Sequence, residues 1–260
     1  MVKIIATFFA PLDVYEPAGM FTGSHVIATL SCLFILAMLF KYSRDLAWPS
    51  ILMLTRRLAL VITCLELIKI SYNFSYGYTW LDAWLPLSFC SLFIYALWLS
   101  GYAKGRLKQV GDSFILIGCF VGGIGFLIFP TTSLMRYPVW HYLSLYSLIF
   151  HTIMIYLSLM YMKHKQVTVN KQTILAFTGY FLIFAVISVL INTATGANIM
   201  LLREPYNVPF RFIHELRAAN QGLYTLVAMS CYLIAPIIVS ASISTLMTKK
   251  EIDVQKIRFD

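Results

Sequence analysis

Residues 172–195 read QTILAFTGYFLIFAVISVLINTAT, without a charged side chain from end to end. A helix needs about 20 mostly apolar residues to cross the hydrocarbon of a bilayer, and this run has that length. Outward from it the pattern recurs at roughly 22–42, 51–73, 80–101, 113–130, 139–162 and 222–247. Composition agrees: 60% of the 260 residues are hydrophobic, 12% are charged, and the mean hydropathy is +0.78. A soluble core of this size cannot hide that much apolar surface. The polar connections are short, so the expected fold is all-α: one polytopic membrane domain over residues 1–260, a bundle of seven transmembrane helices. Residues 1–21 have too short an apolar run for a secretory signal and are expected to lie outside, along the interface.

Basic residues set the orientation, because short cytoplasmic loops collect Lys and Arg. Lys41, Arg44, Arg56, Arg57, Lys104, Arg106, Lys108, Lys163, Lys165, Lys171, Lys249, Lys250, Lys256 and Arg258 all fall on one side. The other side holds Lys3, Arg136, Arg203, Arg211 and Arg217, largely balanced by Asp13, Glu16, Asp82, Glu204 and Glu215. The N-terminus is therefore expected outside, residues 248–260 form a cytoplasmic tail, and the amphipathic basic segment 203–220 lies on the outer surface. The formal charge of +9 reads as an orientation and anionic-lipid signal, with membrane lipids as partners and no nucleic acid. Nothing in the sequence bears on the oligomeric state.

All five cysteines lie inside these segments, and none has a spacing suited to zinc. Neither a disulfide, a metal nor a cofactor is expected. Cys90 differs from the others in following Pro86, which cannot donate to the carbonyl four residues back, so the third helix is expected to kink and open polar backbone beside the thiol. Counting inward at 1.5 Å per residue puts Cys90 roughly 15 Å and His151 roughly 18 Å from the outer ends of their helices. Ser144, Ser147, His151 and Ser158 follow a helical spacing that gives the fifth segment a polar stripe. Glu66 and Lys69 stand one turn apart about 10 Å or less from the outer end, an i,i+3 pair that can neutralise itself. His25 opens the first segment, Asn192 closes the sixth, and Asn198 and Arg203 follow it. The unusual polar residues thus gather in the outer half, with nothing comparable expected in the inner half. Gly118 and Gly122 form a GxxxG pair suited to close helix packing.

Several of these elements resemble the YwaF-like bacterial integral membrane proteins and their eukaryotic transmembrane acyltransferase relatives. The resemblance covers most of the chain. It rests on Gly23-Ser24-His25, on Leu85-Pro86-Leu87-Ser88-Phe89-Cys90, on Phe150-His151, and on the stretch from Ile191 to Pro205. The family pattern carries a histidine where Ser88 stands, and tyrosine where Ile199 follows Asn198. What the resemblance implies is acyl transfer between lipids, with Cys90 as nucleophile and His151 as its base. Asn192, Ser147 or a freed amide near Pro86 would steady the oxyanion, and Glu66 would orient His151.

Two readings from different classes stay open. One is a Cys/His-dependent lipid acyltransferase or lipid hydrolase with its site facing the outer leaflet of a cell membrane, expected to be the bacterial cytoplasmic membrane. The other is a non-catalytic lipid or small-solute binding or transport protein, in which Glu66 and Lys69 matter more than Cys90. Walker, GxSxG and HExxH motifs are absent, which removes support for an ATPase, a common serine hydrolase and a zinc protease.

Overall fold

The computed structural model describes residues 2–164 and 166–259, with side chains over 5–164 and 166–246. Among the described residues the chain is all-helical: α1 (Val2–Phe8), α2 (Gly23–Ser43), α3 (Trp48–Ser75), α4 (Leu81–Trp84), α5 (Leu92–Tyr102), α6 (Gly105–Ile128), α7 (Tyr142–His164), α8 (Lys171–Thr195), α9 (Arg211–Ala219) and α10 (Gln221–Phe259). Five of these, α2, α6, α7, α8 and the Gln221–Leu246 part of α10, are long and apolar enough to cross a membrane. The helix α3 has 28 residues but carries Arg56, Arg57, Glu66 and Lys69. The helix α5 has only 11.

The third apolar segment departs most from expectation. In place of one kinked helix over 80–101, the chain breaks completely between α4 and α5. Leu85 is extended (φ −74, ψ 117) because the ring of Pro86 disfavours the helical region for the residue before it. Leu87 N–H then pairs with Leu85 O at 2.8 Å, and helical bonding resumes only where Leu92 N–H reaches Ser88 O at 3.2 Å. The product is a half-helix, about 16 Å long at 1.5 Å per residue.

The core is built on α6 and α7. Two thirds (67%) of each of their most apolar stretches is buried inside the protein, against 22% for α2 and 11% for α10, which present their apolar sides outward. The pair runs antiparallel: Phe126 meets His151, and Ser158 Oγ donates to Leu116 O at 3.1 Å. Two glycines permit the closest approaches. A Cβ at Gly123 would lie 2.4 Å from Ile155 Cγ1 and 2.7 Å from His151 O, and one at Gly111 would lie 2.5 Å from Ser100 N on α5. These positions are tighter than the Gly118–Gly122 pair that the sequence singles out, whose neighbours are side chains at 3.0 Å or more. Gly123→Ala must push α6 from α7, so a loss of about 1–3 kcal/mol is expected, read as a lowered unfolding midpoint in detergent.

Two further boundaries differ from expectation. Residues 2–19, expected along the interface, dock onto the end of the bundle. Ala10 O accepts from Tyr72 OH (2.7 Å) and His141 Nε2 (3.0 Å), Leu12 N–H donates to Tyr78 OH (2.8 Å), and Gly19 N–H to Leu134 O (2.8 Å). At the other terminus α10 continues as helix to Phe259, so residues 248–259 extend the seventh segment without a break. The side chains of Lys3, Lys165, Lys249, Lys250, Lys256 and Arg258 lie outside the described residues.

Candidate functional site

Cys90 and His151 both meet α6, at Gly122 and at Phe126 respectively. The break at Pro86 sets Cys90 just before α5, and its Sγ donates to Gly122 O across 3.9 Å, a long and weak contact. The carbonyl of a helical residue points along the axis toward the residue four further on, which places the sulfur beside the Gly122–Phe126 turn. From α7, His151 stacks its ring on Phe126, with centroids 3.8 Å apart and planes 8° from parallel. The two residues thus meet α6 one turn, about 6 Å, apart along its axis.

Hydrogen bonding fixes how the imidazole is presented. His151 Nδ1 lies 2.6 Å from Ser147 O; a carbonyl only accepts, so Nδ1 holds the proton and Nε2 keeps the lone pair of the neutral ring. The histidine is 7% exposed, yet Nε2 has no hydrogen-bond partner among the described residues. No hydrogen bond joins the thiol to the imidazole among the described residues. Met154 Cε and Phe89 Cε1 occupy the surface at Gly122 instead, 3.0 and 3.2 Å from where a Gly122 Cβ would sit. Met154 is an unbranched thioether, the side chain best able to swing aside without backbone movement.

The surrounding polar residues divide by what they touch. Glu66, 4% exposed, has Lys69 Nζ 2.5 Å from Oε1 without hydrogen-bond alignment, while Oε2 accepts from Tyr146 OH at 2.6 Å. It therefore ties α3 to α7 and does not reach His151, whose orienting partner is the Ser147 carbonyl. His25 is fully engaged: Nδ1 accepts from Phe21 N–H at 3.0 Å, and Nε2 donates to Leu127 O at 2.9 Å. Thr29 Oγ1 also donates to Leu127 O, so His25 and Thr29 cap the end of α6 just ahead of Pro130, which has no N–H to offer. Ser147 contributes its carbonyl to His151, and its hydroxyl has no hydrogen bond among the described residues.

Asn192 pairs with both backbone groups of Ile199, donating to its carbonyl at 2.9 Å and accepting from its N–H at 2.7 Å. Asn198 Oδ1 accepts from the N–H groups of Arg203 (3.2 Å) and Glu204 (3.0 Å), and Arg203 Nη1 donates to Gly196 O. These residues lock the connection between α8 and α9. They hold Met200 and Leu201 at φ 59 and 55, a left-handed conformation disfavoured for such side chains. Asn192 thus spends its Oδ1 and one of its two Nδ2 hydrogens on this loop.

A second polar cluster was not foreseen. At the opposite end of the bundle, buried Asp112 accepts from Ser100 Oγ (2.6 Å) and pairs with Lys108 Nζ (2.8 and 2.9 Å). Ser100 Oγ also meets Tyr161 OH (2.7 Å), which continues to Thr55 Oγ1 (3.2 Å). The half of the bundle expected to hold nothing comparable thus carries a polar cluster of its own. The apolar run starts at residue 113, but the helix begins at Gly105, two turns earlier, and carries Asp112 inside. A pocket of about 250 Å³ opens there, lined by Lys108, Gln109, Asp112, Asn170 and Thr173. It lies at the other end of α6 from Gly122. All five cysteines are free, and among the described residues no group of His, Cys, Asp or Glu is placed to hold a metal ion.

No curated protein and no solved structure matches the chain. A family model does, over residues 20–239, which include every polar group that reaches Cys90 or His151. With five membrane-length apolar helices and this match, the chain is an integral membrane protein that belongs to the TMEM164 family.

Proposed function

We propose that this chain is a membrane-embedded acyltransferase, or a hydrolase where water accepts the acyl group, that works through Cys90 and His151. The observation that carries this reading is that His151, 7% exposed and with no hydrogen bond at Nε2 among the described residues, stacks on Phe126, one turn of α6 from the Gly122 carbonyl that the Cys90 thiol meets. A thiol in apolar surroundings is a poor nucleophile until a base takes its proton. In the proposed step His151 Nε2 accepts the Cys90 proton once Met154 moves aside. The sulfur attacks an ester carbonyl carbon, and a C–S bond forms while the C=O electron pair moves to oxygen. The tetrahedral species collapses with cleavage of the ester C–O bond, and the departing alkoxide takes the proton held by His151. A second lipid hydroxyl, or water, then attacks the thioester and returns the proton to sulfur. The sequence balances without a cofactor or a metal.

The same reading gives the chain seven crossings, with α3 and the broken α4–α5 unit as the two beyond the five apolar helices. The N-terminus lies outside and the basic end, with Lys41, Arg44, Lys104, Arg106 and Lys171, in the cytoplasm, in accord with the charge bias of cytoplasmic loops. Its partners are membrane lipids, its substrate a lipid or acyl donor reaching the site from the outer leaflet, and its setting a bacterial cytoplasmic membrane. His151→Gln is expected to lower acyl transfer about 10²–10⁴-fold while Cys90 is still alkylated by iodoacetamide at high pH. Unchanged turnover in that variant removes the base from the mechanism.

The second reading, a non-catalytic carrier of lipids or small solutes, draws on the Cys90 thiol being engaged with Gly122 O and not with His151. It expects Cys90→Ala and His151→Gln to bind lipid as the unaltered chain does, with no acyl group ever found on the protein.

A further inference from the structure

The cavity of about 250 Å³ at the basic end of the bundle takes no part in acyl transfer at Cys90. It lies between the start of α6, which lends Gly105, Lys108, Gln109 and Asp112, and the start of α8, reached through Asn170 and Thr173. Pockets that take drug-sized ligands run to roughly 300–1,000 Å³, so this one suits a small polar group and no acyl chain.

Its polar walls are held from behind. Ser100 Oγ donates to Asp112 Oδ1 (2.6 Å), so Tyr161 OH donates to Ser100 (2.7 Å), and both hydroxyl protons are directed toward the carboxylate. Asp112 in turn holds Lys108 Nζ at 2.8 and 2.9 Å. An ammonium has three N–H groups, and at most two of those on Lys108 serve Asp112. On the facing wall Asn170 Oδ1 accepts from Gln172 and Thr173 N–H, and Thr173 Oγ1 accepts from Asn170 N–H, a reciprocal cap. Asn170 Nδ2 spends one N–H on Thr168 Oγ1 (3.1 Å). Among the described residues, what stays unspent is therefore mainly donor: an N–H on Lys108, another on Asn170, and the whole amide of half-buried Gln109.

Independently, the charge around the cavity is positive. Lys104 and Arg106 flank Gly105 in sequence, and Lys171 stands between Asn170 and Thr173; none of the three has an ion-pair partner among the described residues. Against them and Lys108 the lining sets one carboxylate, Asp112, which Lys108 and Ser100 already occupy. A cationic ligand would have to displace Lys108 from Asp112 against that charge. Phosphate oxygens, by contrast, find fixed N–H donors inside a cationic rim.

We propose that the cavity between the starts of α6 and α8 binds a phosphate group, carried either by an anionic lipid at the basic face of the membrane or by a free phosphate ester. The site is independent of the acyl-transfer reading, whose residues lie at the other end of α6.

The test titrates the full chain in detergent with inorganic phosphate and, in mixed micelles, with phosphatidate or phosphatidylcholine. Lys108 is left in place, because its removal strands a buried carboxylate. Gln109→Glu instead puts a negative charge into the cavity without breaking a hydrogen bond, and Lys41→Gln makes the same change in net charge at an exposed position of α2 outside the lining. Expected is saturable phosphatidate binding that Gln109→Glu weakens about 10-fold or more, while Lys41→Gln stays within a few-fold of the unaltered chain. Inorganic phosphate that also binds, and is lost in Gln109→Glu, marks a site open to free phosphate esters; phosphatidate binding alone marks a lipid headgroup site. A thermal melt checks each variant, and if Gln109→Glu melts lower, Gln109→Ala decides, with weakened binding expected and unchanged affinity overturning the proposal. It is equally overturned by the absence of saturable binding in both arms, by phosphatidylcholine binding as tightly as phosphatidate, or by Gln109→Glu and Lys41→Gln weakening binding alike, which marks diffuse surface charge.

Discussion

Cys90→Ala is expected to reduce acyl transfer to the uncatalysed background while leaving the fold intact. The substitution removes, from a half-buried residue, one sulfur whose single hydrogen bond, to Gly122 O at 3.9 Å, is too long to carry much stability. The unfolding midpoint should therefore move little, and lipid binding should persist. The chemical effect is of another order, because no other thiol can substitute. Cys119 is wholly buried on α6, Cys32 is buried on α2, and Cys64 and Cys231 face outward. Cys90→Ser separates the nucleophile from its shape: the hydroxyl fits the same space but ionises far less readily, so the activity stays lost. Acyl transfer assayed in reconstituted vesicles alongside a thermal melt reads both halves of the expectation. Full activity in Cys90→Ala sinks the covalent mechanism.

The second large effect is on stability. Asn192→Ala is expected to cost roughly 1–3 kcal/mol for each backbone group of Ile199 that it orphans. Two bonds, at 2.9 and 2.7 Å, are lost together at a site only 5% exposed. The loop they secure holds Met200 and Leu201 in a left-handed conformation, which persists only where the surroundings over-determine it. Released, residues 196–204 should relax, and with them the contacts of Leu201 O with Tyr224 OH and of Leu202 O with Thr225 Oγ1 (2.8 Å) that fasten α10. A lower unfolding midpoint and faster proteolysis within 196–204 are the readouts. Asn192→Asp, which keeps the acceptor for Ile199 N–H and loses the donor, should fall between. An unchanged midpoint in Asn192→Ala contradicts the assignment of this residue to the loop.

Much of this was legible in the sequence because lipid makes a simple demand. The long apolar runs became α2, α6, α7, α8 and α10, with most ends a few residues from those expected, though α6 starts eight residues earlier and α10 runs on to Phe259, since a helix that must pair its own backbone leaves little choice. The third run was harder. Pro86 announced a disturbance, but whether a proline kinks a helix or ends it depends on what the freed groups find next, and Ser88 Oγ decided for a new helix start. Asp112 escaped notice because the Lys108–Asp112 pair sits at the edge of an apolar run, where charge ordinarily marks the loop.

The site shows the same division. Cys90 and His151 stood out as types, a thiol behind a proline and a histidine within lipid depth. Their common neighbour, one turn of α6, is a matter of helix pairing that no spacing along the chain reveals. Asn192 stood out equally and is occupied elsewhere, because a side-chain amide pairs as readily with backbone seven residues on as with a substrate. His25 likewise caps α6 from 102 residues away. The new helix start at Ser88 follows from the break at Pro86, and only the backbone course of 85–92 makes it visible.

The central claim, that Cys90 carries an acyl group during turnover, is most directly tested by intact-mass analysis of the protein quenched in acid during reaction with a phospholipid donor. The account predicts one acyl adduct, removed by neutral hydroxylamine, mapped to the peptide bearing Cys90 and absent from Cys90→Ala. Sustained turnover with no adduct on that peptide would contradict it.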